Sequence, residues 1–241
     1  PPGEKWSLAN TTLITKNLLM AHLDIYRALK AMPNGDWAQV GLVHQFLKIM
    51  PASKWNILTS TIASVVTYYY HQVILDCLQT GQFKMQRGKK SEVYEFPKAN
   101  EMMDFIGINY YSDPLVGAEA FFPPRKWIRS VAEKGGFMAD MPYRFYPQGL
   151  YDHIMECKEL NLPIYITENG APDRRDAFRG RWIKEHLAKV NEAIEDGADV
   201  RGFYYWTLND NFEWGEGYHQ KFGLYEYDFE AQVPKLREGA K

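Results

Sequence analysis

The sequence predicts an α/β protein with a parallel sheet of the β/α-barrel type, and three observations predict it. Short apolar β runs alternate with longer stretches of helical periodicity. The β runs are almost continuously apolar, as in sheets covered on their helix side. Polar residues gather at or just past the ends of those runs, at His44, at Asn109 with Tyr111, at Glu168, and at Trp206 with Asp210-Asn211. That end of the sheet is where β/α barrels place their chemistry.

The elements follow in order. Ser7 is positioned to cap a first helix, in which Ile14, Leu18, Ala21, His22, Ile25 and Leu29 recur at three- and four-residue spacing until Pro33-Asn34-Gly35 stops it. A short strand covers 39–44. Helical periodicity resumes over 58–78, although residues 65–70, Val-Val-Thr-Tyr-Tyr-Tyr, also favour a strand. The next strand covers 104–111. Residues 113–149 then form a long segment punctuated by Pro and Gly and rich in rings: Phe121, Phe122, Trp127, Phe137, Tyr143, Phe145 and Tyr146. A helix over 150–160 carries Leu150, Ile154, Cys157 and Leu160. The run Ile164-Tyr165-Ile166 stops at Thr167-Glu168-Asn169-Gly170, a helix over 178–196 closes at Gly197, and the last strand covers 200–207. Only four strands are legible, whereas a closed barrel of this type needs eight. Four parallel strands leave two edges to be covered or paired.

Composition sets the boundaries of function. The chain has 241 residues, 46 % of them hydrophobic, enough for a sizeable core. Its 28 basic and 30 acidic residues leave a formal charge of −2, which offers no field for nucleic acid or an anionic membrane; a small neutral ligand fits better. No apolar run is long enough to span a bilayer. Cys77 and Cys157 fall inside apolar helical patterns and read as free buried thiols, so a reducing, cytoplasmic compartment is expected. Six histidines show no helical pair at metal-ligand spacing, and no metal or cofactor is expected; His44 stands apart because it ends a strand. Seven Trp and sixteen Tyr suit a core or a carbohydrate platform, since a sugar's C–H face packs on a ring while its hydroxyls need polar partners.

Glu168 is the residue around which the chemistry is read. A carboxylate fixed at a rigid strand end is how a nucleophile would be presented; in isolation a cap or turn role for Thr-Glu-Asn-Gly is the better reading, and its neighbours turn the balance. Asn109 and Tyr111, two apart, share one side of a strand and both can donate hydrogen bonds to a carboxylate or a sugar hydroxyl. Residues 206–218, WTLNDNFEWGEGY, mix indoles with carboxylates in a way that can stack on a hydroxyl-rich ring and hydrogen-bond to it at once.

Three of these stretches, DFIGINYYS, YITENG and YYWTLNDNFEWGEGYHQKFGL, resemble the C-terminal signatures of the family 1 glycoside hydrolases, the β-glucosidase family of retaining enzymes on a (β/α)8 TIM barrel. NLLMAHLDIYRAL resembles the helix after that family's fourth strand, so the resemblance covers residues 1–241 as the C-terminal half of the barrel, strands five to eight. It implies Glu168 as the nucleophile, Tyr111 as the tyrosine that holds it and Asn109 as the asparagine beside it. It also implies Glu213 and Trp214 as the pair on the glycone hydroxyls, Trp206 as a wall of the sugar pocket, and Phe222 as part of a Phe-Gly element in the substrate-binding set. Thr207 stands for the usual serine, and Lys221 for an arginine before Phe-Gly, so weaker support of this loop is expected. The family's acid/base motif, Asn-Glu-Pro, does not occur; Asn191-Glu192 lies in a helical run.

Two functions follow. One is the nucleophile half of a retaining β-glycosidase, joined to an N-terminal half that supplies the acid/base. The other is a silent half-barrel or sugar-binding fragment that self-associates to hide its edges.

Overall fold

Ser7 does cap the first helix, its hydroxyl accepting from the Asn10 amide at 3.3 Å. The computed structural model describes residues 7–53, 55–87, 89–117, 137–228 and 230–241; Phe121, Phe122 and Trp127 lie outside these. In chain order the elements are α1 (Leu8–Lys30), β1 (Gly41–Phe46), β2 (Met50–Pro51), α2 (Ile57–Thr67), α3 (Val73–Thr80), β3 (Gln82–Arg87), β4 (Lys90–Glu95), α4 (Ala99–Met102), β5 (Phe105–Tyr110), β6 (Leu115–Val116), α5 (Pro147–Lys158), β7 (Ile164–Asn169), α6 (Arg179–Glu195), β8 (Val200–Tyr205), β9 (Tyr225–Asp228) and β10 (Val233–Leu236).

The main sheet is parallel, in the order β1-β5-β7-β8, which are the four strands that the apolar runs mark. Its helix-side core joins Phe46, Ile106, Ile108, Tyr110, Ile164 and Ile166 to Leu150, Ile154 and Cys157 of α5 and Val190 of α6. Burial of such side chains supplies about 1.5–3 kcal/mol each. Cys77 and Cys157 are free and buried as expected. None of the described helices is long and apolar enough to cross a membrane.

Three expectations change. The strand near His44 runs two residues further, so His44 lies inside β1 instead of at its end. The stretch with mixed propensity resolves as a π-helical turn, Tyr68–Gln72, between α2 and α3: the rings stay helical but the hydrogen-bond ladder slips. Helix α1 buries Leu19 and Leu23, while Leu18 and Ile25 of the expected stripe stay exposed, because the helix meets the rest of the described chain on one side only. The exposed side borders a groove of about 500 Å³ lined by Leu18, His22, Val43, His44 and Tyr70, at the outer edge of β1.

The antiparallel hairpins β3–β4 and β9–β10 have no counterpart in the expected elements. Their sequences carry Lys and Glu at outward positions, so local turn closure, and not an apolar run, defines them.

Candidate active site

All four main strands point the same way, and residues at the C-terminal ends of β5, β7 and β8 meet one another, while Phe46 at the end of β1 packs on His71 and His153. Glu168 is the penultimate residue of β7, and its register partner is Asn109 of β5, reached after a bulge between Ile108 and Asn109. Bulges beside a site re-aim side chains, and this one lets two successive β7 residues meet two alternate β5 residues. The Tyr111 hydroxyl donates to Glu168 Oε2 at 2.5 Å, and the Thr167 hydroxyl donates to Asn109 Oδ1 at 2.6 Å. Asn109 therefore reaches the carboxylate's neighbour through its oxygen.

Asn169 holds the next position rigid. It is fully buried; its Nδ2 donates to the Tyr110 carbonyl at 2.8 Å, its Oδ1 accepts from the Trp182 indole at 3.2 Å, and its carbonyl accepts from the Trp206 amide at 2.9 Å. One side chain and its own carbonyl thus tie β5, α6 and the end of β8 together. Gly170 completes the turn, because a Cβ there would lie 2.0 Å from the Trp206 carbonyl oxygen. In Thr-Glu-Asn-Gly, then, threonine and asparagine brace the strand end, glycine admits the neighbouring chain, and the glutamate is the group left to the mouth.

Tyr143, from the long segment after β5, stacks on Tyr111 with centroids 5.3 Å apart. Burial pushes the Tyr111 phenol far up, helped by its bond to Glu168. Burial raises Tyr143 to about 12, with the charges of Glu213 and Glu168 adding to it. Both phenols therefore stay protonated donors at neutral pH, and both feel the carboxylates of Glu168 and Glu213. A carboxylate with one oxygen pinned by a phenol has the chemistry of an oriented nucleophile or base.

The remaining candidates divide. Glu213 is braced by the Asn211 amide, which donates to Oε2 at 3.0 Å, and Trp206 is half-buried against Gly170. Trp214 is 84 % exposed and makes no ring contact among the described residues. Phe222 is 1 % exposed, with its ring edge-on to Tyr111 at 6.3 Å, so it packs the floor beneath that tyrosine instead of offering a surface to a ligand.

The loop is not weakly held. Arg179, 1 % exposed at the start of α6, donates to the carbonyls of Asp173, Lys221 and Phe222 at 2.8–3.0 Å, to Tyr205 Oη at 2.9 Å and to Asp176 Oδ1 at 3.0 Å. Asp173 in turn accepts from the amides of Phe178 and Arg179. Arg237 pairs with Asp210 at 2.9 Å and 3.0 Å, and Asp210 accepts from the Gly223 amide. Lys221 lies 3.5 Å from the same carboxylate and is the lesser partner, which corrects the expectation that its substitution for arginine weakens the loop. Arg179 and Arg237 escaped sequence reasoning because key partners lie on distant segments, the carbonyls of Lys221 and Phe222 for Arg179 and the Asp210 carboxylate with the Gly223 carbonyl for Arg237.

Histidines also come together. His71 and His153 meet at Glu156, and burial lowers the neighbouring His44 to about 3, with His71 and His153 adding to the shift, so it is neutral. Spacing did not reveal this cluster because His71 and His153 lie on different helical segments.

The profile of the family described as Glycosyl hydrolase family 1 matches residues 1–241. A beta-galactosidase of Pyrococcus woesei is 28 % identical over 91 % of the chain and 48 % of that protein. A 6-phospho-beta-galactosidase of Staphylococcus haemolyticus is 30 % identical over 96 % and 59 %. Among solved structures, a beta-glycosidase from Pyrococcus horikoshii superposes with a TM-score of 0.74 at 33 % identity, covering 93 % of this chain and 50 % of that one. The beta-glucosidase from Thermotoga maritima in complex with glucoimidazole has a TM-score of 0.74 at 26 % identity, covering 93 % and 53 %. The chain spans about half the length of the relatives it matches.

Proposed function

The chain belongs to glycosyl hydrolase family 1, and from that premise we propose that it supplies the nucleophile side of a retaining β-glycosidase acting on β-linked glucosides or galactosides. The observation that carries this reading is the Tyr111–Glu168 hydrogen bond at the C-terminal end of a parallel sheet. Glu168 attacks the anomeric carbon, the C–O bond to the aglycone breaks, and a glycosyl ester forms on the carboxylate; water then cleaves that ester with inversion of the same centre. Tyr111 fixes the attacking carboxylate, Asn109 and Thr167 brace it, Trp206 walls the sugar, and Glu213 with Trp214 holds glycone hydroxyls.

Retaining chemistry also needs a second carboxyl group, about 5 Å from the first, to protonate the leaving group. This chain has no Asn-Glu-Pro. In our reading residues 1–241 are the C-terminal half of the (β/α)8 barrel, β1, β5, β7 and β8 are its fifth to eighth strands, and a partner half brings the acid/base. Support comes from the sheet order, in which β1 and β8 are outermost and carry the exposed Val43 and Tyr204, and from the apolar groove beside α1. The same outer strands favour a second reading, a silent sugar-binding half that pairs with its own copy; sedimentation of the chain, alone and with the N-terminal half, separates the two.

General acid–base help contributes roughly 10²–10⁴-fold, most for poor leaving groups. The chain alone is therefore expected to release nitrophenol from an activated aryl β-glucoside while leaving cellobiose intact. Robust cellobiose turnover by the chain alone would overturn the assignment of the acid/base to another half.

The relatives' names include both neutral and phosphorylated galactosides. Here the glycone loop carries Glu213 and Glu216, and a phosphate dianion beside them would meet like charge. We assign the neutral glycone. Glucose is expected to bind at least about tenfold more tightly than glucose 6-phosphate, an energy gap of about 1.4 kcal/mol; calorimetry showing the reverse order would reject it.

A further inference from the structure

His71, His153 and Glu156 lie behind the sheet, outside the Glu168 cluster, and the glycosidase reading makes no use of them. His71 sits on the π-helical turn, while His153 and Glu156 are three residues apart on α5 and so share a face. His71 Nε2 and His153 Nδ1 each lie 3.2 Å from Glu156 Oε2, and the three atoms lie within 4.8 Å of one another. Both imidazoles are wholly buried, whereas Glu156 is partly accessible.

We propose that His71, His153 and Glu156 form a binding site for a divalent transition-metal ion, zinc by its donor set, that fastens the π-helical turn to α5. Two imidazole nitrogens and one carboxylate oxygen suit zinc and neighbouring metals better than calcium or magnesium, which prefer all-oxygen shells. Ligands about 2.1 Å from a tetrahedral ion stand roughly 3.4 Å apart, close to the two spacings already present. To ligate the ion, His71 carries its proton on Nδ1, which has no hydrogen-bond partner among the described residues, and His153 keeps its proton on Nε2 toward Asp113; a second proton on His153 Nδ1, where present, leaves to solvent.

The surroundings are built as metal-binding histidines require. His153 Nε2 lies 3.1 Å from Asp113 Oδ1, the carboxylate–histidine arrangement that fixes the ring and directs Nδ1 to the ligand. Asp113 also accepts from the Lys48 amide at 2.7 Å, so the second carboxylate is itself held. Lys48 Nζ sits 2.5 Å from Glu156 Oε1, the oxygen that faces neither histidine. Its stem is partly exposed, which lets the ammonium withdraw to solvent when a cation enters. This cation is the main opponent of the ion and sets the affinity below that of a site without it.

The test is titration of the full chain with zinc sulfate, followed by calorimetry and thermal melting, with cobalt(II) as a spectroscopic reporter. A single saturable ion is expected, with a melting temperature raised by about 5–10 °C at a hundredfold excess over Kd and the visible d–d bands of tetrahedral cobalt. In His71→Gln the amide nitrogen, and in His153→Asn the shorter amide, preserve a donor to Glu156 but remove the ligand; both should lose the zinc-dependent shift and the cobalt bands. His219→Ala, on the exposed loop, should keep them. Imidazole NMR shifts of the unmodified chain on adding zinc locate the ion without any substitution. Absence of saturable binding, or zinc shifts confined to other histidines, overturns the proposal.

Discussion

Replacing Glu168 by glutamine is expected to lower turnover of an activated aryl β-glucoside by roughly 10⁴-fold or more. The amide fills the same volume and still offers Tyr111 an acceptor, so the strand end and its bracing through Asn169 should stand. What is lost is the charge that attacks the anomeric carbon. Glucose affinity, measured by calorimetry, should change by less than about tenfold, because the glycone is held by groups on other elements. An activated leaving group keeps the experiment independent of the acid/base half. A variant retaining a tenth of the activity would remove Glu168 from the reaction, and one that loses glucose binding altogether would make it a ligand-holding residue instead.

Arg179→Met should be the most damaging single change to stability, about 3–5 kcal/mol. The methionine fills much of the space but abandons the carbonyls of Asp173, Lys221 and Phe222, the Tyr205 hydroxyl and the Asp176 carboxylate in a site that is 1 % exposed. Each acceptor left without a donor carries its own desolvation cost. Because Phe222 packs beneath Tyr111, the damage should also reach the site: turnover should fall even where the variant remains folded. Arg179→Lys should recover only part of either loss, since a point charge cannot serve acceptors spread around a planar fork. Urea unfolding measures the first effect; a loss below about 1 kcal/mol would show that the loop is held by Arg237 and Asp210 without it.

The four parallel strands and their helices were legible because each carries its own periodicity, an apolar run of about six residues or a stripe at helical spacing. Glu168, Asn109 and Tyr111 were legible because strand ends and two-residue spacing have direct geometric meaning. Other parts depend on contacts between distant segments. Tyr143 is one ring among many in the segment after β5 until it stacks on Tyr111. Asn169 reads as a turn residue until its amide is seen to join three elements. Arg179 and Arg237 look like surface charges in an amphipathic helix and near a chain end, yet both are buried clamps. From its place in a motif Phe222 reads as part of the substrate-binding set, whereas its ring is buried and lies edge-on to Tyr111. The π-helical turn, which brings His71 to Glu156, has no periodicity of its own to betray it.

The most direct measurement is the intact mass of the chain before and after incubation with a 2-deoxy-2-fluoro-β-glucoside bearing a strongly activated leaving group. Such a substrate needs the nucleophile and little acid assistance, and its ester hydrolyses slowly. The account predicts a stoichiometric gain of one fluoroglucosyl group, mapping after proteolysis to the peptide that contains Glu168. No gain, in the chain alone and in its complex with the N-terminal half, or a gain mapping to another residue, would contradict it.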